Sequence, residues 1–147
     1  MSDAKNIRIK IIELKEFDHM IKTFGLIKQL NPQLKKEKFY QMLNEMISNG
    51  YKMIAAYNNK KCVGVSGYWI STKIYSGKFL EIDNLIVDNK FRSIGIGKKL
   101  CKYMEKIAVN QKCETIMLDA YAENSNAHRF YYREGFFVRG FHFIKKL

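Results

Sequence analysis

The stretch that decides the fold is residues 85–98, which reads LIVDNKFRSIGIGK and joins an apolar, strand-like run to the start of a helical pattern. Two glycines, Gly95 and Gly97, allow the main chain to approach an anion closely. The helix that opens there presents unpaired N–H donors and the positive end of its dipole, equivalent to about half an elementary charge. The segment therefore predicts a site where backbone N–H groups hold a phosphate.

Hydrophobic periodicity around this stretch predicts alternating strands and amphipathic helices. The strands are expected over residues 7–11, 53–57, 63–70, 78–87, 114–120 and 136–144, and the helices over 17–30, 39–47, 100–108 and 126–133. The turn Asn58-Asn59-Lys60 favours an antiparallel hairpin between the second and third strands.

The element order is β-α-α-β-β-β-α-β-α-β. Antiparallel pairing in the middle, followed by a strand-helix-strand crossover, predicts an α/β fold with a mixed sheet and helices on both faces. At 147 residues the chain fits one domain, residues 1–147, without internal repeats or a linker.

Composition excludes several classes of protein. With 47% hydrophobic residues the chain is not of the disordered type, and no run approaches the ~18 apolar residues of a membrane span. Met1–Asn6 lacks the apolar core of a signal peptide, so a cytoplasmic protein is expected. The three cysteines contain no Cys-x-x-Cys pair and the three histidines are scattered, so neither a disulfide framework nor a metal site is expected.

The formal net charge of +12 favours anionic partners, either a phosphorylated cofactor or a nucleic acid. The lysines are dispersed, and no run of five or more basic residues occurs. This distribution disfavours nucleic acid as the partner.

Two segments resemble the paired signatures of the GNAT superfamily, the acyl-coenzyme A-dependent N-acetyltransferases, and among them its small, uncharacterised bacterial members. Residues 92–97 are similar to Arg/Gln-x-x-Gly-x-Gly/Ala, and residues 124–136 to Asn-x-x-Ala-x-x-Phe-Tyr-x-x-x-Gly-Phe. Both occur in the family's order. The resemblance implies a central mixed, mostly antiparallel sheet of six to seven strands, acetyl-coenzyme A (acetyl-CoA) as cosubstrate without a metal, and a possible homodimer.

The same resemblance implies which residues hold the cofactor. The loop would bind the pyrophosphate through its N–H groups, although Ser93 replaces a glycine common among relatives. The strand before it would expose main-chain groups to the pantetheine arm, with the N–H of Val87 facing the thioester carbonyl. Asn124 would bind the pantetheine arm. A role as the N-cap of a helix explains an asparagine at this position equally well. The implied binding residues are Leu85, Ile86, Val87, Arg92, Ser93, Ile94, Gly95, Ile96, Gly97, Lys98 and Asn124.

Two acidic residues are candidates for the catalytic base. An amine with a pKa of about 10.4 is almost wholly protonated at neutral pH, so a base must remove a proton before it attacks a thioester. Glu81 and Asp83 lie two apart on one strand and so share a face. By the resemblance, Asp83 aligns with the acid of small-molecule and peptide acetylating branches, and Glu81 with that of the protein-lysine branch. We favour Asp83, with Glu81 as the second candidate. The remaining alternative is that the two carboxylates only bind a cationic substrate or pair with lysines.

Tyr131 matches the family's general acid, which would protonate the departing thiolate. Tyr132 is one helical step of about 100° away and should point elsewhere. A core aromatic is the alternative interpretation of Tyr131. None of the cysteines lies in either signature, which favours direct transfer without a covalent intermediate.

These residues together predict an N-acetyltransferase that acts on a primary amine of a small molecule, peptide or protein. The alternative is a sensor of the same fold that binds acyl-CoA without turnover. The acceptor should be an amine-bearing cation such as an aminoglycoside, polyamine, amino acid or peptide N-terminus. It should lie between the early helices, residues 17–49, and the hairpin at residues 69–78, where Trp69, Tyr68 and Tyr75 could form an aromatic wall.

Overall fold

The computed structural model describes residues 7–147; Met1–Asn6, the segment without a signal-peptide core, lies outside them. The strands are β1 (Ile9–Leu14), β2 (Lys52–Asn58), β3 (Lys61–Lys73), β4 (Gly77–Val87) and β5 (Thr115–Leu118). The helices are α1 (Phe17–Ile21), α2 (Phe24–Leu30), α3 (Lys36–Ser48), α4 (Ile96–Asn110) and α5 (Ser125–Arg133), with a short 3-10 helix at Asn89–Phe91.

The five strands form one mixed sheet in the order β1-β2-β3-β4-β5. The first four strands pair antiparallel, and β5 pairs parallel to β4 after the crossover through α4. The β2–β3 hairpin turns at Asn59, whose φ of 55° lies in the left-handed region that asparagine tolerates. The predicted hairpin and crossover are therefore confirmed.

Helices cover both faces of the sheet, as predicted. On one face, α1, α2 and α3 bury Met20, Ile27 and Leu43 in a core that also includes Val65 and Ile86 of the sheet. On the other face α4 contributes Ile96, Leu100 and Met104, which cluster with Leu80 and Ile82 of β4. Side chains of β4 thus alternate between two cores, and each face of that strand belongs to a different layer.

The helix predicted over residues 17–30 is two helices, α1 and α2. The break lies at Thr23, a buried residue whose hydroxyl donates to the carbonyl of Met20 at 2.6 Å and lies 3.7 Å from the sulfur of Met53. A threonine hydroxyl that binds a nearby carbonyl competes with the helical ladder, so the chain turns here while the apolar residues keep their helical spacing.

The strand predicted over residues 136–144 does not form, and β5 is shorter than the predicted span of residues 114–120. No backbone hydrogen bond in the described part of the chain involves residues 137–147. Phe137, Phe141 and Phe143 remain 76%, 87% and 92% exposed. Strand propensity is realised only through pairing and packing, and this segment has neither. The sheet therefore has five strands rather than six to seven, and the order is β-α-α-α-β-β-β-α-β-α.

No helix within residues 7–147 combines the length and apolar character needed to cross a bilayer.

Candidate active site

Strand β4 extends beyond the end of β5 at its carboxyl end. The parallel ladder between them stops at Ile82 and Leu118, whereas β4 continues to Val87. On its other side β4 pairs Asp83 with Gly67 and then Ile86 with Val65, so one strand carries an extra residue. This bulge includes Asn84, whose φ is 58°. Beyond Ile82, β4 therefore has no β5 partner, and its main-chain N–H groups on that side are open to a ligand.

The loop after β4 forms a cradle of unused amide donors. Ser93 and Gly95 have φ values of 63° and 84°, and Gly95 is the N-cap of α4. Within the described residues, no N–H group from residue 93 to residue 98 makes a well-formed hydrogen bond to another protein group. Such a row of amides at a helix N-terminus makes a concave anion site, and exposed Lys98 adds positive charge.

Arg92 holds the start of this loop against the strand. Its Nε donates to the carbonyl oxygen of Val87 at 3.4 Å. Before it, the Asp88 carboxylate accepts from the N–H of Lys90 and pairs with Lys61 at 3.4 Å. These contacts lower the pKa of Asp88, with the backbone hydrogen bond as the largest cause. Arg92 therefore acts on the loop's shape.

The two glycines of the loop serve different purposes. A Cβ at Gly95 would meet no atom within 4 Å, so glycine is needed there for its left-handed backbone. A Cβ at Gly97 would lie 3.1 Å from the ring of Phe130, so glycine is needed there for close packing of α4 against α5. Gly97 thereby brings the segment containing Tyr131 against the amide cradle, which gives the two signatures a physical connection.

Tyr131 is largely buried between aromatic rings. It packs edge-on against Phe130 and Phe136, with ring centroids 5.2 and 5.6 Å away. Burial raises the pKa of Tyr131 to about 12, with a smaller contribution from Cys101. Tyr132 is 57% exposed, as expected from its position one helical step on. Tyr131 is thus a neutral phenol across the physiological pH range.

Glu81 and Asp83 lie on the face of β4 opposite Leu80 and Ile82, which pack against α4. The predicted shared face is therefore present, and it points towards α1–α3. The indole Nε1 of Trp69 donates to Oδ2 of Asp83 at 3.0 Å. Trp69 also stands opposite Glu81 in the β3–β4 register. A single aromatic residue thus connects the two candidate bases.

The Glu81 carboxylate lies among further charges that its place in the sequence did not reveal. Its pKa is raised, mainly by burial and then by Asp119, while Lys73 lowers it. Asp119 follows β5 directly and extends the register that places Leu118 beside Ile82. Its Oδ2 lies 2.9 Å from Nδ1 of His142 in the C-terminal segment. No local motif marks Asp119, because only strand pairing brings it to the site.

Tyr51 is a second residue that sequence reasoning missed. It is 3% exposed, and its ring lies 5.2 Å from that of Trp69. Its pKa is raised by burial and by the charge of Asp83, and the neighbouring Asn84 side chain partly offsets this. Its hydroxyl occupies the space that a Cβ at Gly67 would require. The only sequence signal is the Asn49-Gly50 helix stop just before it.

Several other expectations concern residues at the edges of the site. Tyr68 is buried on the α4 face and Tyr75 is 69% exposed, so neither forms an aromatic wall with Trp69. The Oδ1 of Asn124 accepts from the N–H of Ala127 at 3.1 Å and caps α5. This capping bond leaves the Nδ2 donor of Asn124 for a ligand. Among the described residues no cluster of three or more His, Cys, Asp or Glu side chains is placed to hold a metal.

Comparison with known proteins identifies the same architecture. The family model "Acetyltransferase (GNAT) family" matches residues 17–136. Glucosamine-6-phosphate N-acetyltransferase from Arabidopsis thaliana is 24% identical, with a TM-score of 0.73 over 95% of this chain and 98% of that one. An aminoglycoside acetyltransferase from an uncultured soil metagenomic sample is 22% identical, with a TM-score of 0.78 over 97% and 98%.

Aminoglycoside N-acetyltransferase AAC(6')-Iy, solved in complex with CoA, is 17% identical, with a TM-score of 0.82 over 98% of this chain and 99% of that one. Identities this low establish a shared fold and leave the acceptor open. The family model spans most of the chain and includes both the amide cradle and Tyr131. The chain therefore belongs to the GNAT family of acetyltransferases.

Proposed function

We propose that this protein transfers the acetyl group of acetyl-CoA directly to a primary amine. The observation that carries the proposal is the row of amide donors at residues 93–98, which follows β4 beyond its last pair with β5. This donor set suits a pyrophosphate, because backbone N–H groups and the helix dipole favour a fixed anion. The cosubstrate supplies the activated acetyl group as a thioester.

The open end of β4 supplies the next part of the site. Main-chain groups of Leu85, Ile86 and Val87 are proposed to bind the pantetheine arm. The N–H of Val87 would then donate to the thioester carbonyl oxygen as that oxygen gains negative charge. Apolar side chains of the same residues remain in the two cores, so one strand serves both the fold and the ligand.

A carboxylate on β4 is proposed to take the proton of the acceptor ammonium. Asp83 is the first candidate, because Trp69 fixes its orientation at the bulge. Glu81 is the alternative, and its raised pKa makes it a stronger base when ionised. The neutral amine nitrogen then forms a bond to the carbonyl carbon and the C–S bond breaks. The products are an N-acetyl amide and the thiol of CoA.

The role of Tyr131 follows from its pKa. Burial raises the pKa of Tyr131, so its phenol is a weaker acid than a thiol with a pKa of about 8.5 and complete proton transfer to the thiolate is unfavourable. Tyr131 is therefore proposed to donate a hydrogen bond to the developing thiolate and to remain a phenol itself. The thiol proton then comes from the amine through the carboxylate or from solvent.

The test measures thiol release from acetyl-CoA with a panel of amines. Tyr131→Phe should lower kcat by about 10-fold or more and leave the affinity for acetyl-CoA, measured by calorimetry, unchanged. Asp83→Asn and Glu81→Gln, compared across pH, should identify the base, because its loss lowers the rate most below the pKa of the amine. If acetyl-CoA binds and no amine gives thiol release above hydrolysis, the chain is an acyl-CoA sensor instead.

A homodimer remains a prediction from the family resemblance. Sedimentation equilibrium of the full chain tests it directly, since a dimer doubles the mass that is measured.

A further inference from the structure

A cavity of about 130 Å³ lies between α2, α3 and the bulge of β4. Its walls are almost entirely aliphatic, thioether and aromatic, and no charged side chain lines it. Leu30 of α2 is 49% exposed and forms part of the rim, while Met42 and Met46 of α3 line it more deeply. Methionine side chains are flexible and adapt to the shape of an apolar ligand.

The cavity adjoins the candidate catalytic groups through Tyr51, whose ring lies 5.2 Å from that of Trp69, the residue that donates to Asp83. Asn84 lines it, and the preceding residue on β4 is Asp83. Tyr51 also lines it and is close enough to Asp83 for that charge to raise the pKa of its phenol. An amine held at Asp83 would therefore have its carbon substituent directed towards this space, on the face of the sheet covered by α2 and α3.

The size and lining of the cavity restrict what that substituent can be. An apolar protein cavity of about 150 Å³ takes up one benzene molecule, so the volume here is of the right order for one aryl ring or one branched alkyl group. A second ammonium in this space would be buried without a counter-charge, which is costly. A ring of an aminoglycoside would bury several hydroxyl groups among methionine and leucine side chains, with Asn31, Asn84 and the Tyr51 hydroxyl as the polar side chains of the lining.

We infer that the acceptor is a singly charged primary amine that carries one compact aryl or branched-alkyl group. The inference rests on the proposed function and narrows it. The Asp83 or Glu81 carboxylate receives the amine proton, the apolar group fills the cavity, and the nitrogen is acetylated with release of the CoA thiol.

The experiment compares kcat/KM for phenethylamine, isoamylamine, ethanolamine, putrescine and kanamycin by thiol release. We expect the two apolar amines to exceed ethanolamine and putrescine by about 30-fold or more, the amount that burial of one such group supplies. A preference for putrescine or kanamycin would overturn the inference while leaving the acetyltransferase proposal intact.

Two variants and a matched control test whether the preference for apolar amines arises in the cavity. Leu30→Glu puts a charge at the half-exposed rim and should lower kcat/KM for phenethylamine by about 10-fold, with acetyl-CoA affinity unchanged. Met42→Trp fills the cavity from α3 and should cause a similar loss. Val109→Glu, on an exposed position of α4, adds the same charge away from the cavity and should change nothing. Equal activity in all three variants would contradict the inference.

Calorimetry with CoA-loaded protein separates the two proposals. If phenethylamine binds the wild type, fails to bind Leu30→Glu and is never acetylated, the proposed acetyltransferase activity is refuted. The proposed class of ligand, a compact apolar amine, is then still supported. If phenethylamine does not bind and hydrophilic amines are acetylated, the proposed ligand class is refuted and the acetyltransferase activity is supported.

Discussion

The indole N–H of Trp69 donates to the carboxylate of Asp83 across 3.0 Å, and this bond links the β3–β4 hairpin to the bulge that opens the site. Trp69 also packs against Tyr51, which lines the apolar cavity. One side chain therefore orients the proposed base and borders the space for the acceptor. This arrangement depends on the β3–β4 register, which places Gly67 opposite Asp83.

Trp69→Phe removes this donor and keeps an aromatic ring. A hydrogen bond to a charged group contributes about 1.5–3 kcal/mol, so we expect kcat/KM for the amine to fall by about 10-fold. The affinity for acetyl-CoA should not change, because no cradle residue contacts the indole in the described hydrogen-bond network. Tyr68→Phe, on the opposite face of β3, is the matched control and should retain wild-type kinetics. Equal losses in both variants would remove Trp69 from the mechanism.

Glu81→Gln should change the pH dependence of stability in a defined direction. The folded pKa of Glu81 is raised above its ordinary value, chiefly by burial. The folded protein therefore loses stability as pH rises from the unfolded pKa through the folded one, and the deficit persists above it. Glutamine carries no charge, so the Tm gain of the variant over wild type should be larger at about pH 7 than at about pH 4.

Thermal melts of Glu81→Gln, wild type and Glu123→Gln at both pH values measure this difference. Glu123 is exposed in the loop before α5, and its variant should show no comparable pH-dependent gain. A Glu81→Gln gain that is the same at both pH values would contradict the assignment.

Gly95→Ala and Gly97→Ala should fail in different ways. At Gly95 the left-handed backbone should cost about 1–2 kcal/mol and weaken acetyl-CoA binding, without a steric clash. At Gly97 the new methyl group should push Phe130 and α5 away, and thus lower kcat through Tyr131 as well as affinity. Calorimetry and steady-state kinetics on both variants separate the two effects. Identical profiles would show that the glycines share one role.

Ser93→Gly tests the strain at the one cradle residue other than glycine that has a positive φ of 63°. Glycine relieves that strain and adds conformational entropy to the unfolded chain, so unfolding stability should be unchanged or higher by up to about 1 kcal/mol. Acetyl-CoA affinity should be retained. Ser48→Gly, inside the last turn of α3, should instead destabilise by about 0.5–1 kcal/mol. Urea unfolding of both variants measures the contrast.

Local sequence predicted the parts of the site that one segment builds by itself. The sequence predicts the glycine loop, the helix after it and the shared strand face of the two carboxylates. Turn chemistry and period-2 alternation act over a few residues, so one segment is enough to reveal them. The sequence does not predict the bulge at Asn84, because an Asp-Asn pair inside an apolar strand has the same spacing whether or not the strand bulges. Asp119 and Tyr51 reach the site only through tertiary pairing.

The remaining errors in the fold have the same origin. The apolar residues of 17–30 keep one helical spacing, so the pattern predicts a single helix. It gives no sign that the hydroxyl of Thr23 binds a nearby carbonyl and divides that helix in two. The alternation in residues 136–144 expresses a preference for a strand, yet a preference needs a paired neighbour to become structure. The sequence predicts that Gly97 lets the main chain approach a phosphate. The structure adds a close contact between Gly97 and the ring of Phe130, which the sequence does not reveal.

The central claim is that the amides of residues 93–98 hold the pyrophosphate of CoA. Titration of 15N-labelled protein with CoA, followed by amide resonances, tests it most directly. The account predicts saturable shifts at these residues with one ligand per chain, and their loss when pantetheine, which lacks the pyrophosphate and the nucleotide, is used instead. Saturable shifts confined to other residues, or no shifts at millimolar ligand, would contradict it.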